Sequence, residues 1–139
     1  MVVQIKGFGP GALVDDIAVT SQWYQRHLGL KVTIELDWFV SFNLGPEQFE
    51  LSFVKRGHDS VPDGFRTQDP AGLMFGFMVE DAAAEQARLK EEGVKIVQEL
   101  KDEDYGQRHF YALDCNGLLL DIIELIPPSP DWLAANGFA

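Results

Sequence analysis

"VDDIAVTSQWYQRHLGLKV", residues 14–32, is best read against a second stretch of the same chain, "VEDAAAEQARLKEEGVKI", residues 79–96. Laid over each other, Val14, Asp15 and Asp16 fall on Val79, Glu80 and Asp81, and Tyr24 falls on Leu89. After a one-residue gap, Gly29, Leu30 and Lys31 fall on Gly93, Val94 and Lys95. Self-similarity of this kind marks a duplicated structural unit. Each copy reads as strand, helix, strand. An acidic residue opens each helix, where a side-chain oxygen caps free N–H groups and the helix dipole favours negative charge. A glycine closes each helix, as a left-handed C-terminal position prefers. Ile17, Tyr24 and Leu28 lie at spacings that fit one helical face.

Further strands follow each helix. They are "KVTIELD", "FVSFNLG" and "QFELSFV" in the first half, and "VKIVQEL", "RHFYALD" and "LLLDIIEL" in the second. "LGPEQ" and "DCNG" have the composition of hairpin turns. Each half is therefore βαβββ and the fold class is α+β. The reading predicts one domain over residues 1–139, with module 1 at about 1–55 and module 2 at about 72–126. A linker at 56–71, rich in Gly, Pro and Asp, joins them, and 127–139 forms a C-terminal tail. Two such modules related by a pseudo-twofold axis can join their sheets into a curved mixed trough. Helices would cover the convex side and leave the concave side to a ligand.

Bulk properties narrow the function. A chain of 139 residues suits one domain and buries roughly 70% of its unfolded surface without staples. It carries 11 basic and 22 acidic residues, a net charge of −11. No basic stripe is present, so nucleic acid and anionic membranes are not expected partners. Such charge serves solubility or draws cationic ligands. Cys115 is the only cysteine, which rules out an internal disulfide and suits a reducing cytoplasm. No apolar run approaches transmembrane length. No nucleophile elbow, phosphate loop or dinucleotide fingerprint is present.

Strand periodicity sorts the candidate site residues, because side chains alternate between faces. Phe75, Phe77 and Val79 alternate with Met74, Gly76 and Met78. Trp38, Val40, Phe42 and Leu44 share one face of their strand, opposite Phe39, Ser41 and Asn43, and the sequence leaves open which face looks inward. Ser52 shares phase with Glu50. If Phe110 packs under the helices, His109 and Tyr111 face the concave side. His109 is then a hydrogen-bonding or acid–base candidate. Arg108 and Glu103 read either as a pair that pins a hairpin or as groups that orient a ligand. His27 sits in the last turn of a helix, where a cation suits the dipole, and His58 sits in the linker. Cys115 falls in a turn with no activating base in view.

Together, "VDDIAVTSQWYQRHLGLKV", "FMVEDAAAEQARLKEEGVKI" and "EDYGQRHFYALDCNGLLLDIIE" make the chain resemble the vicinal oxygen chelate superfamily. That superfamily includes glyoxalase I, bleomycin-resistance proteins and extradiol dioxygenases. The third stretch resembles the family's acid-x-x-aromatic-Gly-x-Arg segment and its Asp-Pro-x-Gly turn, with Cys115 in the proline position. The resemblance implies a homodimer, and in the metal-dependent members a divalent ion held by ligands on the first and last strands of each half. Counting from the matching motifs, those positions fall on Gly9, Glu50, Met74 and Asp121, with Gln4 the nearest amide if the glycine-rich start shifts the register. Only Glu50 and Asp121 could coordinate a hard ion.

The resemblance spans several activities, and a fold does not fix a function. The leading expectation is a protein that binds a small organic ligand or drug in the trough with no metal cofactor. Its lining would come from Trp38, Phe42, Ser52, Met74, Arg108, His109 and Tyr111. The alternative is a metal-dependent lyase, isomerase or dioxygenase using Ni, Zn, Mn or Fe at Glu50 and Asp121, with Gln4 or His109 as added ligands. A third possibility is a plain interaction module with no small ligand.

Overall fold

The computed structural model describes residues 2–45 and 49–138. The chain divides into two compact units, residues 1–71 and 72–139. In the first, β1 (Gly11–Val14), α1 (Ile17–Leu28), β2 (Lys31–Glu35), β3 (Phe39–Asn43) and β4 (Glu50–Lys55) follow one another. In the second the order repeats as β5 (Met74–Met78), α2 (Ala82–Glu91), β6 (Ile96–Glu103), β7 (Gln107–Leu113) and β8 (Leu119–Leu125), and α3 (Pro130–Ala135) is added. Each unit holds a four-stranded mixed sheet, ordered β1-β4-β3-β2 and β5-β8-β7-β6. The first strand of each unit lies parallel to the last, and the other pairs are antiparallel. The two βαβββ modules expected from the repeat are present, and the fold is α+β.

Both helices start where the sequence places a cap. The Asp16 carboxylate accepts the Val19 N–H at 3.0 Å, and the Asp81 carboxylate accepts the Ala84 N–H at 3.0 Å. Loss of such a cap costs about 1 kcal/mol. Gly29 ends α1 with φ of 65° and gives its N–H to Gln25 O at 3.1 Å. In α2 the cap is Glu92, and Gly93 turns the chain one residue later.

α1 and α2 each cover one face of the sheet of their own unit. Tyr24 of α1 meets Phe42 and Phe53 with ring centroids 5.8 and 4.9 Å apart, and all three are fully buried. In the second unit Leu89 of α2, which aligns with Tyr24 in the repeat, is buried, as are Phe110, Ala112, Leu120 and Ile122 on the sheet. Phe75 is buried and Phe77 half-buried, whereas Met74 and Met78 are exposed, as their alternation requires.

The expected linker folds back on the first unit. Arg56 binds Asp15 at 2.8 Å and Asp69 at 3.0 Å and donates to the Gln68 carbonyl at 2.6 Å. Gly57 N–H reaches Arg66 O at 2.8 Å. The "DCNG" turn forms as read: Asp114 Oδ1 accepts the N–H groups of Asn116 and Leu118, each at 2.8 Å. Of the "LGPEQ" turn, residues 46–48 lie outside the described residues. Among the described residues no helix is long and apolar enough to cross a membrane.

Candidate ligand site

Strand register decides which side chains meet. On β7, Phe110 and Ala112 face α2, so His109 and Tyr111 lie on the other, free face of the sheet. On β8, Asp121 stands opposite Tyr111, and Ile123 stands opposite His109. Gly76 on β5 lies opposite Asp121. Two register shifts in β6, which bend a strand locally, leave Lys101 opposite His109 and Glu103 opposite Gln107.

The centre of this cluster is His109, only 2% exposed. Its Nδ1 lies 2.7 Å from Asp121 Oδ1, the length of a charge-assisted hydrogen bond in which the ring N–H donates. Its Nε2 is buried and has no hydrogen-bond partner among the described residues. The Glu103 carboxylate is 3.7 Å from it, beyond hydrogen-bond reach. A buried polar atom left unmatched costs about 1–3 kcal/mol, so this nitrogen is a position a ligand can complete.

Two phenols complete the surroundings. The Tyr111 ring is 5.2 Å from the His109 ring. Burial first, and then the charge of Asp121 and a hydrogen bond to it, hold the Tyr111 phenol above its ordinary value. Tyr105 is raised by burial and then by Glu103. Glu103 is lowered, first by its hydrogen bond from Lys101, with a further contribution from Tyr105. Both phenols therefore keep their protons beside these carboxylates. Met74, Met78 and Leu125 add exposed apolar surface on the same face.

Of the residues singled out in the sequence, the structure brings together His109, Tyr111 and Asp121, with Met74 on the same face at the edge strand. In the first unit Ser52 and Glu50 share the free face of β4, as their phase requires, opposite Ser41 and Asn43. Phe42 is corrected: it lies under α1 against Tyr24 and Phe53 and belongs to the core. Trp38 has the phase of Phe42 and stacks on His58 at 3.9 Å with parallel rings. Arg108 is also corrected. It shares the α2 side with Phe110, forks onto Asp102 at 2.7 and 3.0 Å, and reaches Glu124 at 3.5 Å. Glu124 in turn accepts the Ala82 N–H at the start of α2. The considered Arg108–Glu103 pair does not form, because Glu103 pairs with Lys101 at 3.1 Å. Tyr105, the aromatic of the acid-x-x-aromatic-Gly-x-Arg segment, was not among the expected lining residues, because its place in a turn carries no periodic signal.

The positions that the resemblance assigns to a metal do not form a fitting donor set. Gly9 offers no side chain, and a Cβ there would stand 3.0 Å from the Glu50 carbonyl oxygen. Met74 offers a soft thioether, a poor partner for an ion that selects N and O ligands. Asp121 already accepts from His109. Among the described residues no group of three or more His, Cys, Asp or Glu is placed to hold an ion.

Comparison with known proteins places the architecture. The chain is similar to a glyoxalase/bleomycin resistance protein/dioxygenase from Nocardioides, at 17% identity and TM-score 0.71, covering 94% of this chain and 90% of the other. It is similar to lactoylglutathione lyase from Agrobacterium tumefaciens at 16% identity and TM-score 0.67, over 84% and 91% of the two chains. It is similar also to a virulence protein from Salmonella typhimurium at 17% identity and TM-score 0.73, over 91% and 100%. At these identities the likeness concerns the fold alone. No curated protein matches the sequence. The family model for the Glyoxalase/Bleomycin resistance protein/Dioxygenase superfamily matches residues 9–122, and the chain belongs to that superfamily.

Proposed function

We propose that this protein binds a small organic ligand on the free face of its second sheet, around His109, and that it does so without a metal. The observation that carries this reading is the buried His109 Nε2, which lacks a hydrogen-bond partner among the described residues while Nδ1 is held by Asp121. Ligand sites pair apolar surface with a few placed polar groups. Here Met74, Met78 and Leu125 supply the surface, and His109, Tyr111 and Tyr105 supply the polar groups. The unsuited donor set at Gly9 and Met74 supports binding that does not depend on an ion.

The test is a thermal-shift screen of a diverse organic library with chelator present, followed by NMR mapping of the hits. The expected result is at least one class of hit that raises the melting temperature by mass action and perturbs His109, Tyr111 and Met74. A library that stabilises nothing, or hits that map elsewhere, would remove the reading. A second reading, metal-dependent lyase, isomerase or dioxygenase chemistry, draws on one observation: Glu50 and Asp121 occupy the free faces of the last strands of their units. Under that reading Glu50→Gln abolishes metal uptake, and unchanged uptake ends it.

A further inference from the structure

We propose that Gly76, in the middle of β5, is a specificity-determining residue: its bare backbone seats a flat aromatic ring of the ligand between the side chains of Met74 and Met78. The inference rests on the reading that the free face of the second sheet binds a small organic ligand, and adds which part of that face takes the ligand's ring.

A glycine inside a strand costs folding entropy and gives up a side chain that could pack. It is required where φ is positive, where a Cβ would collide, or where another group approaches the backbone closely. The first two reasons do not apply to Gly76. Its φ lies outside the left-handed range, and a Cβ there would meet Ile123 Cδ1 at 3.5 Å, an ordinary contact. Apart from its chain neighbours, nothing else among the described residues comes within 4 Å of that position. The duplicated unit supplies the contrast. Gly76 precedes the cap Asp81 by the same interval as Gly11 precedes the cap Asp16. Gly11 pairs with Ser52 as Gly76 pairs with Asp121. A Cβ on Gly11 would stand 3.4 Å from Ser52 Oγ, so there a neighbouring side chain takes the space. At Gly76 the space is open and the residue is exposed. The remaining reason, close approach of another group, is the one that fits.

The surroundings say what kind of group approaches. Met74 and Met78 flank Gly76 on the same face, and both are exposed. Strand rise sets their Cα atoms about 13 Å apart and leaves a gap of about 7 Å between the side chains, the width of one aromatic ring. A flat ring can lie against bare backbone, whereas the axial hydrogens of a saturated ring hold it off. Methionine sulfur is attracted to aromatic rings, so both flanks favour the same class. Beside the gap, Asp121 stands opposite Gly76 and lies 2.7 Å from His109. The buried Nε2 of His109 lacks a hydrogen-bond partner among the described residues. The seat for a ring therefore adjoins a polar atom that a ligand can complete, whichever way that atom hydrogen-bonds.

The experiment uses the full chain labelled with 13C-methyl methionine and two uncharged probes, benzamide and cyclohexanecarboxamide, titrated by NMR. The probes share an amide, which both donates and accepts, and differ in whether the ring is flat. Benzamide is expected to shift the Met74 and Met78 methyl signals upfield and saturably. It should bind about tenfold tighter than cyclohexanecarboxamide, measured by competition, the scale of two sulfur–aromatic contacts. Gly76→Val, which fills the seat with a residue that strands favour, should weaken benzamide at least about tenfold while the melting temperature holds or rises. Gly76→Ala should weaken it by less. Equal binding of the two probes, or benzamide binding that survives Gly76→Val, would overturn the assignment and leave ligand binding at this face standing. A melting temperature lowered in Gly76→Ala would show that packing requires the glycine and would overturn it. So would a smaller sedimenting species in Gly76→Val with probe binding unchanged, which would assign the bare backbone to contact between copies of the chain. Failure of benzamide to move either methyl signal would also overturn it, and the library screen judges the broader reading separately: hits that perturb His109 and Tyr111 but tolerate Gly76→Val keep that reading and end this one.

Discussion

The two sheets share a strand order and a helix-covered face, and they differ on the face left free. Under α1 and α2 the pattern is one of large apolar side chains at matching places, Tyr24 answering Leu89 in the repeat. On the free face of the first sheet small hydroxyls hold the middle, with Thr33 Oγ1 2.9 Å from Ser41 Oγ and Ser41 opposite Ser52, and Glu50 stands opposite Asn43 at the start of β4. On the free face of the second sheet the polar groups are large, titratable and incompletely matched, with His109, Asp121, Glu103 and two tyrosines in one cluster. The duplicated core constrains one face of each sheet, because a helix must bury against it. The other face is free of that constraint, and the two units fill it differently.

The largest expected effect tests the shared side. Tyr24→Ala and Phe110→Ala should each destabilise the protein by about 3–5 kcal/mol, read by urea unfolding. A small loss at either position would mean that the two cores are not equivalent. A smaller effect should separate the free faces. Asp121→Ala strands His109 Nδ1 and should cost about 1.5–3 kcal/mol, whereas Ser52→Ala on the first sheet should cost under about 1 kcal/mol. Equal costs would erase the contrast drawn between the sheets.

The smallest effect is a pH dependence at the surface. Asp102 lies below the ordinary carboxylate value, mainly through its hydrogen bond from Arg108. A lowered carboxylate contributes stability above its unfolded value, about 3.9, and loses it as pH falls through the folded value. Asp102→Asn should therefore flatten the acid limb of the stability curve slightly; an unchanged limb would show that this exposed pair contributes nothing.

Much of the fold was legible because its signals are local. The caps at Asp16 and Asp81, the Asp114 turn and the alternation along β5 and β7 depend on neighbours within a few residues. His109 and Tyr111 were legible for the same reason, once Phe110 was taken as core. Phe42 was not, since β3 carries aromatic side chains on both faces, Phe39 on one and Phe42 on the other, and only α1 decides between them. The true partners of Arg108 and Glu103 depended on the irregular register of β6, which no period of two encodes. Tyr105 gained its place from the tail, a contact between distant segments that leaves no pattern in either.

The most direct test of the account is metal content, measured by mass spectrometry on protein purified without chelator and again after exposure to Ni, Zn, Mn and Fe(II) followed by desalting. Far less than one ion per chain is expected in every case. Retention of near-stoichiometric metal, lost in Glu50→Gln, would contradict it and return the superfamily's metal chemistry to this protein.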